Sequence, residues 1–505
     1  MTNETNKKAR IAVVGAGVMG RGIAQIFAVA GHPVVLYDAQ SGAAEAGRAQ
    51  VLGILDGLVA KGRMTDEVRA RADRSLATAQ ALADLADADI VIEAIVEDIE
   101  AKRALIAALE GLIRDDAVIA SNTSSLLIAE IAGRSARPER IAGLHFFNPV
   151  PLMKVVEVIG AVRTSPDVLS ALAAVVEGAG HRAVVAADQP GFLVNHAGRG
   201  LYTEGLAILE DRIAAHADID LVLREACGFR MGPFELFDLT GLDVSGRVLQ
   251  GIFEQFQYEP RFRTSSLIPP RIAAGLYGRK TGRGWYDYTG AADADLVEPF
   301  VDATGTRVWI EPTAEHFIEL ASAIMEAGGV IAPDPSDPEV LILIQPWGRE
   351  AASACAEQGL DPMRTVAVDP LPAPDRRRTL MGTLATRPEV AARALSLLGA
   401  GPTPATMIAD SPGFIVQRVM AVIVNIAAHI AQRGIASVAD IDDAVRLGLG
   451  YPKGPLTWGD EIGAGRIVKI LDAIHATTGD PRYRVSPWLR QRAALGLSLR
   501  HEARP

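Results

Sequence analysis

Cysteine is nearly absent: Cys227 and Cys355 are the only two in 505 residues, far apart and outside any cluster with metal-ligand spacing. That excludes a disulfide framework and a thiolate metal site, and it fits a reducing compartment. Positive charge is not in surplus either. Fifty Lys and Arg against 61 Asp and Glu leave a net charge of −11 and a pI near 5.4. Nothing in that balance favours nucleic acid, so a grip on an anionic ligand must come from local groups. A long uninterrupted apolar run is also missing. The nearest, "FIVQRVMAVIVNIAAHIA" at 414–431, is broken by Gln417, Arg418, Asn425 and His429. It predicts a buried helix rather than a membrane span. No leader-like apolar core lies in "MTNETNKKAR" ahead of the first strand-like run, and a cytoplasmic chain without membrane partners is expected.

What is present is core material: 49% hydrophobic against 22% charged residues, enough for three or four domains of ordinary size. "RIAVVGAGVMGRGIAQIFAVAGHPVVLYD" reads as strand, glycine turn, helix, strand. "ADIVIEA", "AVIASN" and "RIAGLHFF" are further apolar runs separated by helical stretches. Runs without polar alternation suit strands buried on both faces, so a Rossmann-like doubly wound α/β sheet is predicted through about residue 187. Helical periodicity dominates from "DQPGF" to "GRKTGRGWYDY". The expected organisation is therefore 1–188 α/β, 189–290 all-α, 291–408 a shortened α/β segment and 409–505 a second all-α domain.

The last assignment rests on an internal repeat. "DQPGF" at 188–192 returns as "DSPGF" at 410–414. In the same gap-free frame "ADID" at 217–220 recurs at 439–442, "GFRMGP" at 228–233 matches "GYPKGP" at 450–455, and Asp238 and Gly241 match Asp460 and Gly463. So many matches in one frame indicate duplication of the helical domain. Between about 290 and 400, "RVWIE", "EVLILIQ" and "TVAVDP" are strand-like, with no Gly-x-Gly-x-x-Gly among them.

"GAGVMG", residues 15–20, places Gly15, Gly17 and Gly20 between a strand and a helix, with Ala16, Val18 and Met19 completing the turn. Such glycines allow a tight turn and close backbone approach to a pyrophosphate at a helix N-terminus. Asp38 lies one helix and one strand beyond Gly20, at the end of that second strand. A carboxylate there accepts bonds from both ribose hydroxyls and repels a 2′-phosphate, which favours NAD over NADP. The plainer alternative is a tight turn with an unrelated aspartate.

In such a domain the ligand lies outside the carboxyl ends of the strands. "AVIASNTSS" and "IAGLHFFNP" end strands there, so Ser124, His145 and Asn148 are candidates to face the nicotinamide. Hydride removal from a secondary alcohol needs a base, and neutral imidazole suits that role near pH 7. Glu157, in "KVVEVI", would orient the ring if its strand lies beside that of His145. Taken alone, His145 also reads as a packing residue, Glu157 as an exposed strand residue and Ser124 as a helix cap.

"GAGVMGRGIAQ", "VIEAIVEDIEAK", "SNTSSL", "HFFNPVPLMKVVEVI", "PGFLVN", "MGPFELFDLTGLDV" and "GRKTGRGWYDY" together resemble the L-3-hydroxyacyl-CoA dehydrogenases, in order over about residues 8–290. The whole chain is similar to the long bacterial 3-hydroxybutyryl-CoA type, some members of which are 3-hydroxyadipyl-CoA dehydrogenases. The resemblance implies that His145 is the general base and Glu157 its partner, and that Ser124 and Asn195 hold the substrate 3-oxygen. It also implies that Glu97, Lys102, Asn148 and Lys280 join Gly15–Gly20 and Asp38 at the NAD site, and that Lys61 lies near coenzyme A phosphates. A solvated lysine is the usual alternative for Lys61, whereas the surrounding "EAIVEDIEAK" weighs against Glu97 and Lys102 as plain helix-surface charges. The helical domain resembles a dimerisation module, so its two copies are expected to pack as an intramolecular pseudo-dimer, with further oligomerisation open.

Two rival readings are a dehydrogenase of free hydroxy acids and a non-catalytic nucleotide-binding assembly protein. The first would need a carboxylate clamp, which no motif singles out. A hydratase tail would show a glycine-rich acyl-CoA pattern, and none occurs. The repeat frame also sets Ala367 opposite His145, Thr379 opposite Glu157 and Gln417 opposite Asn195. One catalytic site per chain is therefore expected, with a silent copy downstream.

Overall fold

The structure is a computed structural model that describes residues 8–290 and 300–501. Two compact units emerge. One runs to His196 and takes in Arg433–Leu449; the other comprises Ala197–Gln432 and the chain from Gly450 onward. The segment Arg433–Leu449 thus packs with the first sheet, although by sequence it is part of the second helical copy.

The first unit is built on eight strands: β1 (Ile11–Val14), β2 (Val34–Tyr37), β3 (Leu76–Thr78), β4 (Ile90–Glu93), β5 (Val118–Ser121), β6 (Ile141–Phe146), β7 (Val155–Gly160) and β8 (Arg182–Ala187), in the order β3-β2-β1-β4-β5-β6-β7-β8. Alternate residues of β1 feed different cores. Ile11 and Val13 pack with Phe27, Leu36 and Leu55, while Ala12 and Val14 pack with Leu109, Ile119 and Ile131. Burial on both faces explains the unbroken apolar runs of the sequence.

One pairing breaks the parallel pattern. The connection 147–154 is too short for a crossover helix, so β7 returns antiparallel to β6. Its register sets His145 directly opposite Glu157.

The second unit contains the six-stranded sheet β10-β9-β11-β12-β13-β14, made of β9 (Arg307–Ile310), β10 (Val330–Ile331), β11 (Leu341–Ile344), β12 (Thr365–Val368), β13 (Arg378–Gly382) and β14 (Ala405–Ile408). The β12–β13 pair is antiparallel and β13–β14 parallel, as in β6–β7–β8. Thr379 pairs with Thr406 as Glu157 pairs with Val184, so these strands keep the repeat frame. β12 does not. Ala367 pairs with Met381, and it is the amide of Asp369, just past β12, that donates to Thr379 O at 2.9 Å. A two-residue slip in the connection before β13 therefore corrects the sequence frame: Asp369, not Ala367, stands opposite Thr379 where His145 stands opposite Glu157.

Asp369 is buried and accepts from Gln417 Nε2 at 2.9 Å and Leu371 N at 3.0 Å. Burial pushes its pKa up to about 7 against those two donors. An acid whose folded value is raised holds its proton longer in the folded state than in the unfolded chain. Stability therefore falls as pH rises from about 4 to 7 and levels off above. Asp369→Asn is expected to add roughly 1–3 kcal/mol at pH 8 and much less at pH 5. Thermal melting at the two pH values checks this, and equal melting of variant and wild type at pH 8 would refute it.

Within the second unit the two helical copies meet. Helix Arg199–Glu210 crosses Val416–Gln432 so closely that a Cβ on Gly200 would lie 3.2 Å from Ile423 Cα. The contacts come in matched pairs. Arg263 bonds Asp480 while Arg484 bonds Glu259, and Arg261 donates to Arg484 O while Arg482 donates to Arg263 O. Phe229 of "GFRMGP" packs on Tyr451, its own counterpart in the repeat, with ring centroids 4.9 Å apart. Among the described residues no helix is long and apolar enough to cross a membrane.

Candidate active site

β1 runs into Gly15, whose φ of +107° suits glycine alone and whose added Cβ would sit 2.5 Å from Ala94 O. A Cβ on Gly20 would fall 1.7 Å from Gly15 O, so this glycine lets the helix Val18–Val29 start against the turn. Gly17 differs, with open space beside its Cα. Two glycines thus pack the turn and the third leaves its backbone approachable, as a pyrophosphate at a helix N-terminus requires. Ala16 is buried, Met19 half-buried and Val18 exposed. Asp38, just past β2, accepts from Ala16 N at 2.7 Å and Gln40 N at 2.9 Å. The carboxylate expected at the ribose also braces the glycine turn, and each oxygen keeps a lone pair for a further donor. The chain therefore offers the turn, the helix N-terminus and the acid that a dinucleotide needs.

The ends of β4 and β5 are tied by a buried network that sequence reasoning only partly anticipated. Glu93 accepts from Lys102 Nζ and Ser121 Oγ, each at 2.6 Å, and from Ile95 N at 2.8 Å. Lys102 is 1% exposed and also lies 3.2 Å from Glu97, so it is no helix-surface charge. Its ammonium bridges two carboxylates and has a third N–H beyond them. Glu97 accepts from Thr123 Oγ1 at 2.6 Å, Ser124 N at 2.9 Å and Ser125 N at 3.1 Å. Burial opposes its ionisation, but the Thr123 hydroxyl, Lys102 and the serine donors outweigh it and hold the carboxyl below its usual range. Ser124 is exposed, its hydroxyl 3.4 Å from Glu97. Glu93, Ser121 and Thr123 carried no sequence signal beyond lying in the quoted motifs.

Beside this network is the His145–Glu157 pair. His145 Nδ1 lies 2.5 Å from Glu157 Oε2, and Oε1 accepts from Leu193 N at 2.8 Å and Val194 N at 2.7 Å. The carboxylate has no solvent exposure, yet both oxygens are satisfied, which keeps the charged form tolerable. An ionised acceptor at Nδ1 requires the proton on that nitrogen and leaves the Nε2 lone pair available. Phe147 and Phe192 pack against the ring, with centroids at 4.4 and 5.8 Å. Phe146 N donates to Asn122 Oδ1 at 2.8 Å, fixing the end of β6 to the loop after β5. Asn122 was missed as a site residue, although it opens "NTSS".

The amides that hold Glu157 come from the "DQPGF" turn, where Gly191 and Phe192 have φ of +71° and +49°. Gly413 and Phe414 repeat that conformation in the second copy, so this backbone belongs to the duplicated scaffold. Asn195, half-buried, follows Val194 on the short helix Val194–Ala197, one residue beyond the clamp. Asn148 is exposed, shortly after His145 in the chain. Lys61 is exposed at the end of helix Ala43–Ala60. Lys280 lies in the second unit, where it pairs with Asp243. Among the described residues no cluster could hold a metal ion. An imidazole held by a carboxylate, in a sheet that also carries a dinucleotide turn, can abstract a proton from an alcohol as its carbon loses hydride.

Residues 10–189 match the family model of the 3-hydroxyacyl-CoA dehydrogenase NAD binding domain, and residues 191–288 and 413–504 each match that of the 3-hydroxyacyl-CoA dehydrogenase C-terminal domain. The chain is 36% identical over 486 residues to 3-hydroxyadipyl-CoA dehydrogenase of Escherichia coli K12, covering 96% of this chain and 97% of that one. It is 37% identical over 282 residues to 3-hydroxybutyryl-CoA dehydrogenase of Bradyrhizobium diazoefficiens, covering 56% of this chain and 96% of the relative. Among solved structures, 3-hydroxybutyryl-CoA dehydrogenase from Escherichia coli K12 superposes with a TM-score of 0.85 at 34% identity, covering 97% of this chain and 99% of that chain.

Proposed function

Since the chain belongs to the 3-hydroxyacyl-CoA dehydrogenase family and is an NAD-dependent oxidoreductase of 3-hydroxyacyl-CoA, we propose that His145 is its general base. The observation that carries this is the clamped pair: Glu157 bonds Nδ1 with one oxygen and is held by two backbone amides on the other. NAD+, when bound at the glycine turn, supplies the hydride acceptor. His145 Nε2 takes the proton of the 3-hydroxyl as the carbon becomes a carbonyl, and Glu157 stabilises the imidazolium that results. Ser124 and Asn195 hold the 3-oxygen, and Asn148 and Glu97 line the nicotinamide side. Lys102 joins them at the cofactor. Lys61 meets the coenzyme A phosphates, and Lys280 contacts the cofactor by exchanging Asp243 for it. Coenzyme A contributes remote binding energy that positions the reacting carbon.

We further propose a short acyl chain, 3-hydroxybutyryl- or 3-hydroxyadipyl-CoA, because relatives bearing those names align over most of their own length. Work in the cytoplasm is in keeping with the two free cysteines. The matched contacts between the helical copies support an intramolecular pseudo-dimer. Ala187 N donates to Ile435 O at 2.8 Å in the first unit, and at the matching positions of the repeat Ala409 N donates to Ile213 O at 2.9 Å in the second. That reciprocity is the mark of an isologous interface.

NADH oxidation is expected to be fast with acetoacetyl-CoA and at least a hundredfold slower in kcat/KM with free acetoacetate, since the truncated substrate loses remote binding energy. Equal rates would instead indicate a dehydrogenase of free hydroxy acids. Comparing 3-hydroxybutyryl-, 3-hydroxyadipyl- and 3-hydroxydecanoyl-CoA assigns the chain length.

A further inference from the structure

The helix Val438–Gly448 belongs to the second helical copy by sequence but packs in the first unit. It is anchored along β8 at both ends. Ile435 O and Ala436 pair with Ala187 and Ala186 at one end, and Asp440 and Asp443 bond Arg182 at 2.6 and 2.9 Å at the other. Its last turn then meets the groups that hold Glu157. A Cβ on Gly448 would lie 3.0 and 3.1 Å from the two γ-methyls of Val194 and 3.3 Å from Cγ1 of Val155. Val194 supplies one of the two amides on Glu157 Oε1, and Val155 begins the strand that carries Glu157.

We propose that Gly448 is a positioning residue for the dehydrogenase reaction: its missing side chain lets this helix seat Val194 where the Leu193 and Val194 amides lock Glu157 onto His145. The second copy has lost its own catalytic pair and instead completes the clamp of the first. The reciprocal position in the first copy is Ala226, on the helix His216–Cys227. A methyl is present there, where the counterpart of Glu157 is Thr379 and no carboxylate has to be clamped. The inference rests on the reading of His145 as base.

Gly448→Val in the full chain should lower kcat for acetoacetyl-CoA with NADH about ten- to a hundredfold, the cost of misplacing a catalytic group by a fraction of an ångström to one ångström. KM for NADH should change less than twofold, because the glycine turn and Asp38 are not touched. Gly448→Ala, which needs a shift of only a few tenths of an ångström, should show a smaller loss of the same kind and decides the matter if the valine variant does not fold. Ala226→Val, at the matching position of the first copy, should keep kcat within twofold. Wild-type kcat in Gly448→Val, or in Gly448→Ala where only that variant folds, overturns the proposal. So does an equal loss in Ala226→Val, which would mean general loosening of the chain. His145→Gln in the same assay separates the two readings: if it stays active, the assignment of the base fails, whereas an inactive His145→Gln beside an unaffected Gly448 series rejects the role of Gly448 alone.

Discussion

His145→Gln is expected to lower kcat for acetoacetyl-CoA reduction about a thousandfold while leaving KM for NADH nearly unchanged. The glycine turn and Asp38 stay intact, so only the proton transfer is lost, and a positioned acid or base contributes ~10²–10⁴-fold. Glu157→Gln is a sharper probe, because it preserves size and removes one charge. Its amide oxygen must stay on the Leu193 and Val194 N–H groups, since two donors cannot face those two donors. The amide nitrogen then points at His145 Nδ1 and donates to it. That forces the proton onto Nε2, the nitrogen that has to accept one, so a loss of about 10²–10³-fold in kcat is expected. Steady-state rates of both variants check the pair. If both retain turnover within tenfold of wild type, the imidazole is not the base.

Why this pair was legible in the sequence, and its support was not, follows from the range of the interactions involved. Gly15, Gly17, Gly20 and Asp38 advertise themselves because a strand, a turn and a helix fix their roles within one βαβ unit. The His145–Glu157 distance could be anticipated because a connection of residues 147–154 leaves antiparallel return as the simplest path. The Lys102–Glu93 bond was not legible, because nothing local says that a helix lysine turns toward the carboxylate that ends the strand before it. The Leu193 and Val194 amides were invisible as donors, since backbone groups leave no trace in residue identity.

The second copy shows the opposite failure. A gap-free frame fails wherever a connection changes length, by one position before Glu259 and Asp480 and by two before β13. Asp369 therefore escaped notice although it occupies the place of His145. Nor does any one-dimensional pattern say that Arg433–Leu449 leaves its own copy and packs on β8. Exchange of a helix between repeats is a property of the duplicated whole, and it appears only once both copies are folded.

The contact between the helical copies has an electrostatic centre, and its removal is expected to be the most destabilising single change in the second unit. Arg418 and Glu204 are both buried, 2.7 Å apart, and Tyr483 Oη donates to Glu204 at 2.7 Å while accepting from Arg418 at 2.8 Å. Burial opposes ionisation of Glu204, but the charges of Arg418 and Arg482 and the Tyr483 hydroxyl outweigh it and hold its pKa below the usual range. In the wild-type chain this depressed value contributes stability above the unfolded pKa of about 4.5, lost only as pH falls through the lower folded value. Arg418→Met removes the closest charge and leaves a carboxylate in an apolar contact, at a cost of about 3–5 kcal/mol. Burial then dominates and raises the Glu204 pKa, so the sign of its pH dependence reverses. The folded variant holds a proton that the unfolded chain releases, and stability falls as pH rises from about 4.5 through the raised value. The deficit against wild type should therefore be widest near pH 8 and narrow toward pH 5. Arg418→Met with Glu204→Gln should recover a large part of it, because a neutral amide no longer has a charge to bury. Thermal melting of the three proteins at pH 5 and 8 reads this directly. A deficit of the same size at both pH values, or no recovery in the double variant, would mean that Arg418 contributes packing alone and that the two copies are held together by their apolar faces.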